Sequence, residues 1–154
     1  AASAGDNTPD TLNLLLEIKG FKFAQNCTFA NCLQGVVPGI LDLVEIGSSD
    51  QMALASKMKL TLTTWKSLIT DLSMDENDEL EVIKTTEFWV LSSEHKETLT
   101  PLFRLVLQIM YDLDVVSEDA LLAWIDLRRN EDGEEKVLFD HPQTQAFVEW
   151  IEAE

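Results

Sequence analysis

Few side chains in this 154-residue chain could do chemistry: two histidines, two cysteines and 28 carboxylates. Neither His95 nor His141 has another histidine or a cysteine at ligand spacing, so both read as solvated and no metal site is expected. Cys27 and Cys32 lie five apart on one predicted helix. That spacing fits neither a zinc pair nor a redox CxxC, and they read as buried, reduced thiols. The chain has no phosphate-cradling glycine loop and no GxSxG elbow. Acid pairs such as Asp75/Glu76, Glu118/Asp119 and Glu134/Glu135 are common, but adjacent carboxylates diverge on a helix, and acid–base catalysis needs a dry pocket. No bond-making or bond-breaking chemistry and no cofactor is expected. The carboxylates must act as charge.

Their distribution says where. Between Asp112 and Glu154, thirteen acids face only Arg128, Arg129 and Lys136, leaving −10 of the total −17 in the last 43 residues. Two helical blocks, SEDALLAWIDLRR from Ser117 and TQAFVEWIEAE from Thr144, each carry a tryptophan with aliphatic neighbours. Trp124, Phe147 and Trp150 read as anchors packing these helices. Glu118, Asp119, Asp126, Glu131, Asp132, Glu134, Glu135, Glu149, Glu152 and Glu154 read as a docking surface for a basic protein partner. A pI near 4.2 argues against nucleic acid, whose phosphates demand clustered lysine and arginine.

The elements that must position these residues are helical. Thr8-Pro9 signals a start for a first helix bearing Leu12, Leu15 and Leu16, which Gly20 should end or bend. Thr28 caps a second helix expected to reach about Glu45, with Leu33, Val36, Val37, Ile40, Leu41 and Val44 inward and Pro38 inside it. Ser48 to Gln51 matches a capping box before the longest amphipathic run, Leu54, Met58, Leu62, Trp65, Ile69 and Leu72. A fourth helix places Leu80, Ile83, Phe88, Val90 and Leu91 inward, with Trp89 in the core. Thr100-Pro101 repeats the cap-plus-proline signal ahead of a mostly apolar fifth helix, Leu102 to about Leu113. Ser117 caps the sixth, and Asn130–Phe139 reads as loop. Asp140 or Thr144 starts the last, with Ala146, Phe147, Trp150 and Ile151 inward. No strand-like alternation competes. The expectation is an all-α stack of seven to eight antiparallel helices, an α-hairpin solenoid.

With 45% hydrophobic residues and this length, one domain with its own core is expected over 11–154, after a disordered or vector-derived lead at 1–10. No apolar run approaches the ~18 residues of a membrane span. The opening AASAGDNTPD has no signal-peptide character. A cytoplasmic location without membrane association is expected.

The blocks EDALLAWIDLRR (Glu118–Arg129) and FVEWIEAE (Phe147–Glu154), with an acidic loop between them, resemble the paired acidic/aromatic boxes of the two-tryptophan HEAT domain that ends several eukaryotic translation factors. Within that family the first-helix block LLLEIKGFKFAQN (Leu14–Asn26) is similar to the epsilon-subunit branch of the guanine-nucleotide exchange factor for initiation factor two. The resemblance covers about residues 11–154, strongest at the two ends. It implies an all-α, HEAT-like α-α superhelix that promotes GDP release from the gamma, GTPase-bearing subunit of initiation factor two. It also implies boxes that bind lysine-rich segments of the beta subunit, and links to other exchange-factor subunits through the rest of a full-length chain. A leucine–glutamate pair in the first helix is central to exchange in that branch, and Leu16 and Glu17 match it. A binding-only adaptor of the same fold is the alternative; residues 12–26 discriminate the two.

Overall fold

The computed structural model describes residues 11–25, 28–44, 50–130 and 136–153. They form α1 (Thr11–Gln25), α2 (Phe29–Leu41), α3 (Gln51–Leu72), α4 (Glu76–Ser92), the short α5 (Lys96–Leu99), a 3-10 turn (Thr100–Leu102), α6 (Phe103–Asp112), α7 (Glu118–Arg129), the short α8 (Lys136–Asp140) and α9 (Pro142–Glu152). No strand occurs among the described residues, and seven of these helices have ten residues or more. Helices alternate between two rows. In one row α1 packs on α3 and α3 on α6; in the other α2 packs on α4 and α4 on α7; α9 closes the end against both α6 and α7. This skip-one packing is that of a HEAT-like superhelix, as the sequence predicts. No helix among the described residues is long and apolar enough to cross a membrane.

The core follows the periodic stripes. Leu33, Val37, Ile40 and Leu41 of α2, Leu54, Met58, Leu62, Ile69 and Leu72 of α3, and Val106, Leu107 and Met110 of α6 are all buried. Trp65 is only half-buried against them. Leu16 of α1 and Phe88 of α4 do not join the core. Leu16 is exposed, whereas Leu15 is buried. Phe88 is 69% exposed, because the buried stripe of α4 runs through Val82, Ile83, Thr86, Glu87 and Val90.

Helix ends depart from the sequence reading where several capping residues compete. α1 continues through Gly20 without interruption. A glycine costs an interior helix only about 1 kcal/mol, which tertiary packing overrides. Thr8-Pro9, Cys27, Glu45 and Ser48 lie outside the described residues. α2 runs through Pro38 but stops at Leu41, and α3 is capped by Asp50, whose Oδ1 accepts from the Ala53 amide at 2.7 Å. An aspartate directly ahead of the first helical residue is as good a cap as serine. Thr100 caps nothing: its hydroxyl donates to the Lys96 carbonyl at 2.7 Å, and α5 and the 3-10 turn carry the chain into α6. The start of α9 is set by His141, whose Nδ1 accepts from the Gln143 amide at 3.2 Å, rather than by Asp140 or Thr144. Lys136–Asp140 is helical, not loop. α6 ends in a Schellman turn without glycine. Asp114 takes a φ of 60°, its amide bonds the Tyr111 carbonyl, and the Val115 amide bonds the Met110 carbonyl.

Polar ties hold the second row. Gln34 Nε2 of α2 donates to Glu81 Oε1 of α4 at 2.8 Å, and Trp89 Nε1 of α4 donates to Asp42 Oδ1 at 2.7 Å. Between α4 and α7, Arg128 Nη2 meets Glu87 Oε1 at 2.6 Å and Arg128 Nε meets Oε2 at 2.9 Å. Glu87 is 1% and Arg128 5% exposed. Removing one partner of such a buried pair strands a charge and costs about 3–5 kcal/mol, whereas replacing both with apolar residues is often neutral. Arg128→Met should therefore lower unfolding free energy by about that amount, and Glu87→Leu combined with Arg128→Met should recover most of it. Urea denaturation of the two single variants and the double variant checks this. Additive losses would remove the pair from the account.

Candidate acidic docking face and first-helix site

α7 is built to hold its tryptophan still and its acids outward. Ser117 Oγ accepts from the Ala120 amide at 3.2 Å, while the Ser117 amide is held by Glu79 Oε1 of α4. Glu118 and Asp119 follow in the first turn, where the helix dipole favours negative charge. Trp124 is fully buried and meets Phe103 of α6 edge-on at 5.8 Å and Phe139 of α8 at 5.5 Å. One ring thus joins three helices. Leu121 and Ile125 are buried beside it, and Asp126 is exposed on the opposite side.

The two arginines that end α7 have separate tasks. Arg128 turns inward to Glu87. Arg129 turns outward and forms a two-pronged ion pair with Glu152 at the end of α9, Nη1 to Oε2 at 2.7 Å and Nη2 to Oε1 at 2.6 Å. This surface pair ties the first box to the second. Hydrogen bonding to Arg129 holds the Glu152 carboxyl below the ordinary glutamate range, and hydrogen bonding to Glu152 raises Arg129, with Asp126 adding to that.

α9 anchors the second box through Thr144, Phe147, Val148 and Ile151, all buried. Trp150 and Ala146, expected inward, are on the surface. Trp150 is 43% exposed, edge-on to Tyr111 of α6 at 6.0 Å and beside Phe147 at 5.9 Å. On an eleven-residue helix lying at the end of the stack, only one stripe can be covered, and Trp150 sits at its margin. Glu149 is exposed next to it.

The structure therefore gathers Glu118, Asp119, Asp126, Glu149 and Glu152 on the two closing long helices. Glu131, Asp132, Glu134, Glu135 and Glu154 lie outside the described residues. It does not bring Leu16 and Glu17 to them. Both are exposed on α1, which packs chiefly on α2 and α3 at the start of the stack. Among the described residues no group of three His, Cys, Asp or Glu could hold a metal. The two histidines are half-buried, not fully solvated: His141 is the α9 cap, and His95 Nε2 lies 3.5 Å from Glu94. Two residues that organise the face, Glu87 and the inward Arg128, escape a reading by composition. Their signal is position: Glu87 falls four after Ile83 and three before Val90, on a buried stripe where a lone charge demands a partner.

The Glu152 pair has a titratable consequence. A carboxyl lowered in the folded state contributes stability above its unfolded value, and that contribution is lost as pH falls through the folded one. The α7–α9 tie should thus persist at neutral pH and loosen only in acid. An NMR pH titration of the Glu152 side-chain carbonyl should give a midpoint below that of ordinary glutamates, and Arg129→Gln should move it back up. A midpoint indifferent to Arg129 would mean that the pair does not form in solution.

Residues 75–154, just over half of the chain, match the model of the W2 family, described as eIF4-gamma/eIF5/eIF2-epsilon. The chain is also 24% identical over 146 residues to translation initiation factor eIF2B subunit epsilon of Dictyostelium discoideum, covering 92% of this chain and 20% of that protein. It is 24% identical over 137 residues to the subunit of the same name from Schizosaccharomyces pombe, covering 88% of this chain and 19% of that one. It spans about a fifth of the length of these relatives. With buried rings on α7 and α9, acids outside them and a matching helical stack, the chain belongs to the W2 family of translation initiation factors.

Proposed function

We propose that this domain serves guanine-nucleotide exchange on translation initiation factor two. On this reading its acidic closing helices dock lysine-rich segments of the beta subunit, and Leu16 and Glu17 of α1 act toward the gamma, GTPase-bearing subunit. The docking half is supported by one observation above others: the closing helices bury Trp124 and Phe147 and present Asp119, Asp126 and Glu149 to solvent, with Glu118 half-exposed beside them. The exchange half is supported by the similarity to eIF2B epsilon subunits, which covers 92% of the chain in one relative and 88% in another. Contacts with other exchange-factor subunits belong to the parts of such a protein outside this domain. The action is binding, not bond chemistry, and its place of work is the cytoplasm.

Charge sets the character of docking. Exposed lysine–carboxylate pairs contribute about 0–1 kcal/mol each and are screened over roughly 8–10 Å at ordinary salt, so several must act together. Glu152 is already matched by Arg129, which makes the unmatched acids the effective ones. Affinity for an oligolysine peptide, measured by calorimetry, should fall steeply between low and high salt. A flat salt profile would sink electrostatic docking.

Exchange demands something else. A factor that accelerates GDP release must bind the nucleotide-free GTPase better than the GDP-bound one, because only differential affinity shifts an equilibrium. Glu17, exposed on a helix outside the docking face, can supply a carboxylate that competes for a lysine or a magnesium ligand near the nucleotide. GDP release from purified initiation factor two should be fast with the wild-type domain and slow with Glu17→Ala. Because Glu17 is exposed, that variant is expected to fold. Unchanged release by the folded variant would remove Glu17 from the mechanism. The competing reading, a binding-only adaptor, has in its favour that the family match begins at residue 75 and leaves α1 out. It is distinguished by lysine-peptide binding without any acceleration of GDP release.

A further inference from the structure

A second surface, separate from the exposed acids of the boxes and from α1, lies on the row formed by α2, α4 and α7. A groove of about 970 Å³ opens there between Gln34, Pro38 and Asp42 on one wall and Glu81, Lys84 and Phe88 on the other. Its floor includes the buried Glu87–Arg128 pair, and Glu94 and His95 close one end. Phe88 supplies the groove's exposed aromatic ring. A phenylalanine 69% exposed in the last third of a seventeen-residue helix, with Val82, Ile83, Trp89 and Val90 all buried, costs exposed apolar area without adding to the core. Single exposed apolar side chains are common on protein surfaces, but this one lines a groove, where it offers an occupant an apolar contact.

The walls are already fixed in place. Gln34 is tied to Glu81 and Trp89 to Asp42, both across the α2–α4 contact, so an occupant would order little of the receptor on binding. The charge of the groove selects the occupant. With Glu87 and Arg128 cancelling each other, Asp42, Glu81 and Glu94 face a single lysine, Lys84, which already lies 3.8 Å from Glu81. A second copy of this chain is disfavoured by its own charge of −17.

We infer that this groove is a docking site for a basic segment of a partner protein. One large apolar side chain of that segment packs on Phe88, and flanking lysines or arginines meet Asp42, Glu81 and Glu94. The site uses residues distinct from the closing acids and from Glu17, so it stands or falls apart from the exchange reading.

The test uses the whole 154-residue chain and two synthetic probes, an oligolysine peptide with one central phenylalanine and the same peptide with serine there. Amide shifts in NMR titrations should concentrate at Lys84, Phe88, Leu91 and Ser92 with the phenylalanine peptide. That peptide should bind at least fivefold more tightly than its serine twin. Phe88→Ser, an exposed change that leaves the core intact, should abolish the difference, and Lys84→Glu should tighten binding of both. The inference is overturned by equal affinities of the two peptides, by a preference that survives Phe88→Ser, or by shifts confined to α7 and α9. Self-association of the chain that vanishes in Phe88→Ser would overturn it as well, by assigning the groove to a second copy.

Discussion

The buried pair between Glu87 and Arg128 is the constraint on which the second helical row depends. Two charges at 1% and 5% exposure are tolerable only if each satisfies the other, and the geometry does so with a guanidinium fork on a carboxylate. The pair fixes the last turn of α7 against the middle of α4. That sets the rotation of α7 about its axis, and with it which residues point out. Trp124, four before Arg128, is thereby directed into the space between Phe103 and Phe139, and Asp126 and Arg129 are directed to solvent. An apolar pair in the same place could hold the helices together about as well. Its registry would be looser, because hydrophobic contact lacks direction.

From that rotation follows the division between adjacent arginines. Arg128 works inside and Arg129 outside, so one dipeptide couples α7 to α4 through the core and to α9 across the surface. The outward pair also lowers the effective charge of the closing face, since Glu152 is occupied. A count of acids along the sequence therefore overstates what a cationic partner meets. The difference bears on affinity, because each exposed pair contributes little and the number of unmatched acids decides the sum.

The sequence carried the architecture because architecture depends on periodic burial, which is a local pattern. Stripes such as Leu54, Met58, Leu62 and Ile69, and caps such as Thr28 and Ser117, appear in the structure as expected. What was illegible depends on long-range choice. Whether Leu15 or Leu16 turns inward, or Phe88 or Glu87, is decided by the helix packed opposite, and no local pattern contains that helix. Caps failed for two reasons: serine and aspartate are chemically equivalent candidates at 48–50, and at 140–144 the cap is a histidine, His141, a weaker capping signal than the aspartate and threonine beside it. Of the candidate site, the acids of α7 and α9 were legible from charge alone. Trp150 was not, because half-burial at the margin of a stack leaves the same sequence signature as full burial.

The distance between the two proposed sites along the stack is itself an argument about how exchange could work. Glu17 lies on the first helix and the boxes on the last long ones, with four long helices in between. Such a stack holds its ends at a fixed separation, because each layer is packed against the next. A lysine-rich segment captured at one end would act as a tether, converting a weak contact at the other end into an intramolecular one with a raised effective concentration. On the proposed reading the exchange contact then needs little affinity of its own. It can be a single exposed carboxylate, and low affinity there favours turnover, since the domain must let go of the GTPase once GDP has left.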